Sequence, residues 1–293
     1  MLRGTLPGER RSKRRGRSVE FDDFREYVPG DEPRHIDWNA LARLDRLLVK
    51  VFREEEDLSL HVVVDLSASM ATGKPSKLIF GARLAAALAD VALANSNRVA
   101  VTAFGATTAR TLAALRGRRS MARVAAFLIG EAERMSGEGA TGAVGAGLTA
   151  ALRSAIAIGG KGSARGVVFL ISDFGDWAEM ATGTANLLAA ATVQGKVDAH
   201  AVRVVSPSEE DPGLDGANGL SLAVALTDIE TGRKVETVVS EETVAAYRRS
   251  RDADLRRWEG WCASAGVGSV TVRSDADVGA MILSTLRRRG IVG

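Results

Sequence analysis

The chain has 293 residues, 46% hydrophobic and 26% charged, with a formal net charge of +3. That length allows one large or two modest domains around a sizeable core, and the composition is that of an ordinary globular protein. The single cysteine, Cys262, excludes an internal disulfide and a multi-cysteine zinc site.

No stretch approaches the ~20 consecutive apolar residues that span a bilayer. The N-terminus carries arginines where a signal peptide would have an apolar core. A cytoplasmic location is expected. Charge is unevenly spread: residues 1–17 hold seven basic side chains against Glu9 alone, so the remainder is net acidic. Such an arm has no aromatic or strand pattern and is expected to be solvated and without a specific ligand. A nucleic-acid partner is accordingly not expected.

Residues 18–57 are expected to pack as part of the folded body. Phe21, Phe24, Tyr27 and Trp38 are many aromatics for a leader in a chain with only 5% aromatic residues. Pro29-Gly30 marks a turn, around which Arg25, Arg34, Asp31 and Asp37 are placed for charge-assisted pairing. A short helix is predicted over Asn39 to Arg46 and a strand over Leu47 to Arg53. His35 reads as structural.

The most informative stretch follows. Leu60 to Val64 is an apolar, β-branched run with His61 its one polar residue, the pattern of a strand buried on both faces. It ends at Asp65, with Ser67 and Ser69 at a spacing of two. In open α/β sheets, ligands bind at strand carboxyl ends. A carboxylate with two hydroxyls is a hard oxygen set suited to Mg²⁺, Mn²⁺ or Ca²⁺. The same three residues also suit a plain helix cap.

Ser76 to Asn95 has helical periodicity with many alanines. Arg98 to Phe104 reads as a strand, Thr111 to Leu115 as a shorter edge strand and Arg118 to Met135 as a helix. Residues 136–147 form a glycine-rich loop leading into a helix over Leu148 to Ile158. No Gly-Lys-Ser/Thr follows, so this is not a P-loop; Thr141 is its one good oxygen ligand. Gly166 to Ile171 is a second buried strand, ending in Ser172-Asp173. A helix over Trp177 to Ala191, a strand over Asp198 to Val205 and a polar loop over Ser206 to Gly219 come next. Ser221 to Leu226 and Lys234 to Val238 read as an inserted hairpin near 220–239. A long arginine-studded helix (Glu241 to Ala265), a strand (Ser269 to Val272) and a closing helix (Val278 to Arg289) complete the chain. This alternation predicts an α/β fold with a doubly wound, mainly parallel sheet.

Asp65, Ser67, Ser69, Thr141 and Asp173 together resemble the metal-ion-dependent adhesion site of von Willebrand factor A domains, over residues 58–293. The segment from Val19 to Trp38, with Glu20-Phe-Asp-Asp-Phe-Arg-Glu-Tyr-Val-Pro-Gly-Asp-Glu-Pro-Arg-His-Ile-Asp37 inside it, adds a second resemblance. With Leu48-Val-Lys50 and the Asp65 motif, it is similar to the bacterial and archaeal family called domain of unknown function 58.

That resemblance implies a von Willebrand factor A-like fold and association with MoxR-type AAA+ ATPases. It further implies that Ser67, Ser69 and Thr141 contact the metal, Mg²⁺ first among candidates, with Asp65 and Asp173 acting through bound water. The metal would then join the chain to a partner's Asp or Glu, with Met70, Lys74 and Trp177 around the rim. Gly142 departs from the pattern, since many relatives carry an acidic residue after the threonine.

The rival reading is a metal-dependent phosphoryl-transfer or hydrolytic enzyme using Asp65. It needs an acid/base group, and Ser67 stands where a dehalogenase-type enzyme has its second carboxylate. The expectation is therefore a non-catalytic adaptor.

Overall fold

The computed structural model describes residues 20–53, 58–137, 146–159, 166–175, 184–193, 197–210, 222–227 and 234–286. Contacts divide the chain into two units that separate between Asp57 and Leu58. The basic arm lies outside the described residues.

The first unit is built on two antiparallel strands, β1 (Glu20–Glu26) and β2 (Leu48–Arg53). Between them lies a short helix, α1 (Trp38–Leu44), whose first amides at Asn39 and Ala40 are capped by the Asp37 carboxylate. Arg25 grips Asp31 through both guanidinium nitrogens, at 2.6 and 2.5 Å, which closes the Pro29-Gly30 turn. Asp37 faces Lys50 at 3.3 Å. Two of the aromatics are not buried as expected: Trp38 is 60% exposed and Phe24 is also exposed, while Tyr27 is half-buried and, among the described side chains of this unit, Ile36 and Val49 are the buried apolar ones. Hairpin pairing and the charge-assisted turn contribute order to this unit.

The second unit contains a six-stranded sheet. Its strands are β3 (Ser59–Asp65), β4 (Arg98–Phe104), β5 (Ala109–Leu115), β6 (Gly166–Ser172), β7 (Val197–Val205) and β10 (Gly268–Arg273). Their spatial order is β10-β7-β6-β3-β4-β5. All pairs are parallel except β4 with the edge strand β5. The expected doubly wound α/β sheet is thus the one that forms. Strands β8 (Leu222–Thr227) and β9 (Lys234–Val239) pair antiparallel as a separate hairpin, as the sequence indicates.

Alternation along β3 divides the core. Leu60, Val62 and Val64 point to one face, packing with Leu84, Leu88 and Ala89 of α2 (Lys77–Ala94) and Val124 and Leu128 of α3 (Met121–Gly137). Val63 points to the other face. There it joins Leu148 and Leu152 of α4 (Ala146–Gly159), Leu188 of α5 (Thr184–Val193) and Trp258 of a long later helix. Every residue of β3 and β6 is buried, which is why their sequences are mainly apolar, with Ser59 and His61 of β3 as buried polar exceptions before Asp65.

The stretch after β7 corrects one expectation. Pro207–Glu210 forms a short helix, α6, in what the polar composition marked as loop. The long helix, α7 (Glu241–Ser264), begins at Ser240, whose Oγ accepts from the Thr243 amide at 3.2 Å, with Glu241 and Glu242 favourably placed in its first turn. The chain then turns through β10 into Val278–Ala280 and a π-helical turn, Met281–Leu286.

Candidate metal centre

Asp65 is the last residue of the central strand, flanked by β4 and β6. Its register partner on β4 is Phe104, whose carbonyl accepts from the next amide, Leu66, at 2.8 Å. The two carboxylate oxygens of Asp65 are both engaged: Oδ1 accepts from the Ser67 amide at 2.8 Å and Oδ2 from the Ser172 hydroxyl at 2.6 Å. This buried carboxylate therefore ties its own loop to the end of β6. It fixes where Ser67 and Ser69 stand, and their hydroxyl oxygens lie 3.1 Å apart in a half-buried loop. A 3₁₀ turn, Ser69–Ala71, follows, so the serines do not simply cap α2, and the Ser76 side chain at the start of α2 makes no cap bond either.

Asp173 arrives from the neighbouring strand end. Its successor Phe174 has a left-handed φ of 52°, a conformation a bulky residue adopts at a cost. The turn is held by the Phe174 amide donating to Ser172 Oγ at 3.0 Å and by the Phe174 ring packing on Trp258, centroids 5.5 Å apart. Burial raises the Asp65 pKa above the ordinary carboxylate value, and the nearby negative charge of Asp173 raises it further; the hydrogen bonds from Ser172 and Ser67 only partly offset this. A buried carboxylate with a second one near it, and hydroxyl oxygens in the same loop, is a donor set whose charge and chemistry suit a cation. Among the described residues no three His, Cys, Asp or Glu side chains cluster as a metal site; the donors present are hydroxyls and two carboxylates. Ser67 and Ser69 have the hard oxygens to hold a divalent ion, and Asp65 and Asp173 the charge to attract it.

The sequence expectations meet the structure unevenly. Asp65, Ser67, Ser69 and Asp173 come together, whereas Thr141 and Trp177 lie outside the described residues. The start of the helix after the glycine-rich loop is nevertheless fixed. A side chain at Gly147 would stand 2.0 Å from the Gly105 carbonyl oxygen, so only glycine lets α4 begin this close to the end of β4. Lys74 is exposed. Met70 is a correction: it is fully buried in the core beside Gly81 and presents nothing to a partner. The 3₁₀ turn directs it inward, where an unbranched thioether fills the space beneath the loop.

One residue of the centre escapes the motif. Lys77, in the first turn of α2, is 3% exposed and donates through Nζ to Asp173 Oδ2 at 2.8 Å and to Glu209 Oε1. Burial alone would lower its pKa, but the charges and hydrogen bonds of Asp173 and Glu209 raise it, so the ammonium is firmly protonated. The other Glu209 oxygen accepts from the Ser206 amide at 2.8 Å, fixing the carboxylate on α6. A signal for Lys77 exists in the sequence. It falls on the same helical stripe as Phe80, Gly81, Leu84 and Leu88, all buried, and a charge on an apolar stripe requires a buried partner.

The histidines of the sheet lie within its packing. His61 bonds Thr102 Oγ1 at 2.7 Å, and His200 stacks on Phe169 with centroids 5.2 Å apart. Burial lowers the pKa of each to about 4.

A family model described as "Protein of unknown function DUF58" matches residues 23–256. The chain belongs to this family. The match covers both units and includes the Asp65 motif and Asp173. No curated protein matches the sequence. Among solved structures, the N-terminal domain of TFIIH p34 is similar at 15% identity and a TM-score of 0.36, over 50% of this chain and 80% of that one. The manganese-loaded TRAP protein of Plasmodium vivax is similar at 16% identity and a TM-score of 0.34, over 50% and 57%. A variant of the PilB minor pilin from Streptococcus sanguinis is similar at 10% identity and a TM-score of 0.40, over 83% and 65%. The central sheet of this DUF58 chain is mainly parallel with helices packed on both faces, the α/β fold class the sequence implies. Among the described residues no helix is long and apolar enough to cross a membrane.

Proposed function

We propose that this DUF58 protein is a non-catalytic adaptor that binds a divalent metal, Mg²⁺ first, and through it a partner's Asp or Glu. The observation that carries the reading is the meeting of Asp65 and Asp173 from adjacent strand ends beside the Ser67 and Ser69 hydroxyls. Ser67, Ser69 and Thr141 would hold the ion directly, with Asp65 and Asp173 acting through water. When bound, the metal supplies an electrophilic position for an incoming carboxylate. Asp65, engaged at both oxygens, serves the centre by holding the serine loop on β6. A MoxR-type AAA+ ATPase is the partner proposed, on the family resemblance.

The enzyme reading receives less support. Hydrolysis needs a base near an activated water, and His61 and His200 are committed to contacts within the sheet. The test is a pull-down with candidate AAA+ ATPases, using native protein in Mg²⁺, native protein in chelator, and Thr141→Ala in Mg²⁺. Capture in the first condition alone is expected. Equal capture in all three removes the metal bridge, and phosphoester turnover that vanishes in Asp65→Asn favours the enzyme.

A further inference from the structure

A cation already stands at this centre, and it belongs to the protein. Lys77 Nζ sits 2.8 Å from Asp173 Oδ2, on a carboxylate that the metal reading gives to the ion. Its other carboxylate, Glu209, comes from α6 beyond β7 and is pinned by the Ser206 amide at 2.8 Å. The lysine is almost wholly buried while Glu209 is 39% exposed at its side chain, so the ammonium faces inward to Asp173 and is braced from outside. Approach to the brace is close: a side chain at Gly73 would come within 2.5 Å of Ser206 Cβ, so the turn before α2 and the turn before α6 touch only because residue 73 is glycine.

We infer that Lys77 is the positioning residue that sets the metal affinity of the centre, orienting Asp173 and subtracting charge from it so that a divalent ion is held reversibly. The inference rests on the metal-site reading above. Its physical content is a sum of charges: Asp65 and Asp173 attract a divalent ion, and the fixed ammonium beside Asp173 repels it. Removing that ammonium leaves Asp173 facing Glu209 without a cation between them, and an arriving metal then relieves that repulsion. Removing the negative charge of Glu209 does the reverse, since more of the ammonium's field reaches the ion. A lysine with a purely structural role predicts neither tighter binding on its loss nor opposite signs for the two substitutions.

The experiment is a Mn²⁺ titration of the chelator-treated full chain, read by calorimetry and by the loss of the free-ion paramagnetic resonance signal. Native protein, Lys77→Met, Lys77→Arg and Glu209→Gln are compared after circular dichroism has shown each to be folded. Lys77→Met is expected to lower the Kd about tenfold, the effect of one nearby unit charge under partial screening. Lys77→Arg keeps the charge and is expected to restore native affinity. Glu209→Gln is expected to raise the Kd about threefold, a smaller effect because the group is half-exposed. If Lys77→Met does not fold, the Glu209→Gln and Lys77→Arg results decide alone. Saturable binding in the native protein with an unchanged or raised Kd in Lys77→Met, or a lowered Kd in Glu209→Gln, overturns the role of Lys77 and leaves the metal site standing. No saturable binding in any folded form overturns the metal reading and this inference with it.

Discussion

The two carboxylates of the centre are held by opposite means. Asp65, at the end of β3, is satisfied by neutral donors, the Ser67 amide and the Ser172 hydroxyl. Asp173, one strand away, is held by the full charge of a buried lysine. Neutral donors fix the geometry of a carboxylate while leaving its charge uncompensated, and burial then raises its pKa. An ammonium both fixes and neutralises. The protein thus keeps one carboxylate whose charge awaits a partner and another whose charge is already answered.

Replacing each carboxylate should therefore have different consequences. The largest effect is expected for Asp173→Ala, which takes from buried Lys77 its inner partner. Breaking a buried ion pair costs about 3–5 kcal/mol, and the surviving Glu209 places the expected loss near the lower figure, about 3 kcal/mol. Urea unfolding in chelator measures it. A loss under about 1 kcal/mol, the scale of an exposed pair, would mean that Lys77 is satisfied without Asp173.

Asp65→Asn is expected to do little harm without metal, because the amide keeps an acceptor for Ser67 and offers a donor to Ser172. Its pH dependence separates the two carboxylates further. The folded-state pKa of Asp65 is raised, so its carboxyl contributes stability in the neutral form, fully present below the unfolded value of 3.8 and lost as pH rises toward the folded value of about 7. Native protein in chelator should thus lose stability relative to Asp65→Asn over that window, by about 1 kcal/mol or more. A difference that stays flat with pH would show that the charge of Asp65 is already compensated, as that of Asp173 is. The smallest effect belongs to the first unit: Trp38→Ala should change stability by no more than about 0.5 kcal/mol, as at other surface sites, because its ring is exposed.

The apolar runs of β3 and β6 and the oxygen residues after them are legible because a central parallel strand has no polar face to hide. Their adjacency follows from the alternation of strands and helices. Trp38 misleads because aromatic content indicates burial only on average, and a small hairpin unit closed by Arg25 and Asp31 leaves rings at its surface. Met70 misleads because proximity in sequence to Ser69 says nothing of direction. Lys77 is harder to find, since its partners lie 96 and 132 residues away, one just past β6 and one on α6 after β7, and only the folded sheet brings them together. Its place on the apolar stripe of α2 reveals that a partner must exist but not which.

Everything proposed for this centre turns on whether hydroxyls and carboxylates from these strand ends bind a divalent ion. A calorimetric titration of chelator-treated protein with Mg²⁺ and Mn²⁺ decides it, set against a variant carrying Ser67→Ala and Ser69→Ala. These two half-buried side chains lie outside the Asp65–Ser172 and Lys77–Asp173 bonds, so the variant keeps the scaffold and loses the ligands. One saturable site is expected in the native protein, accompanied by a rise in melting temperature with metal concentration, and neither in the variant. Identical heats and identical melting curves for the two proteins would contradict the metal centre.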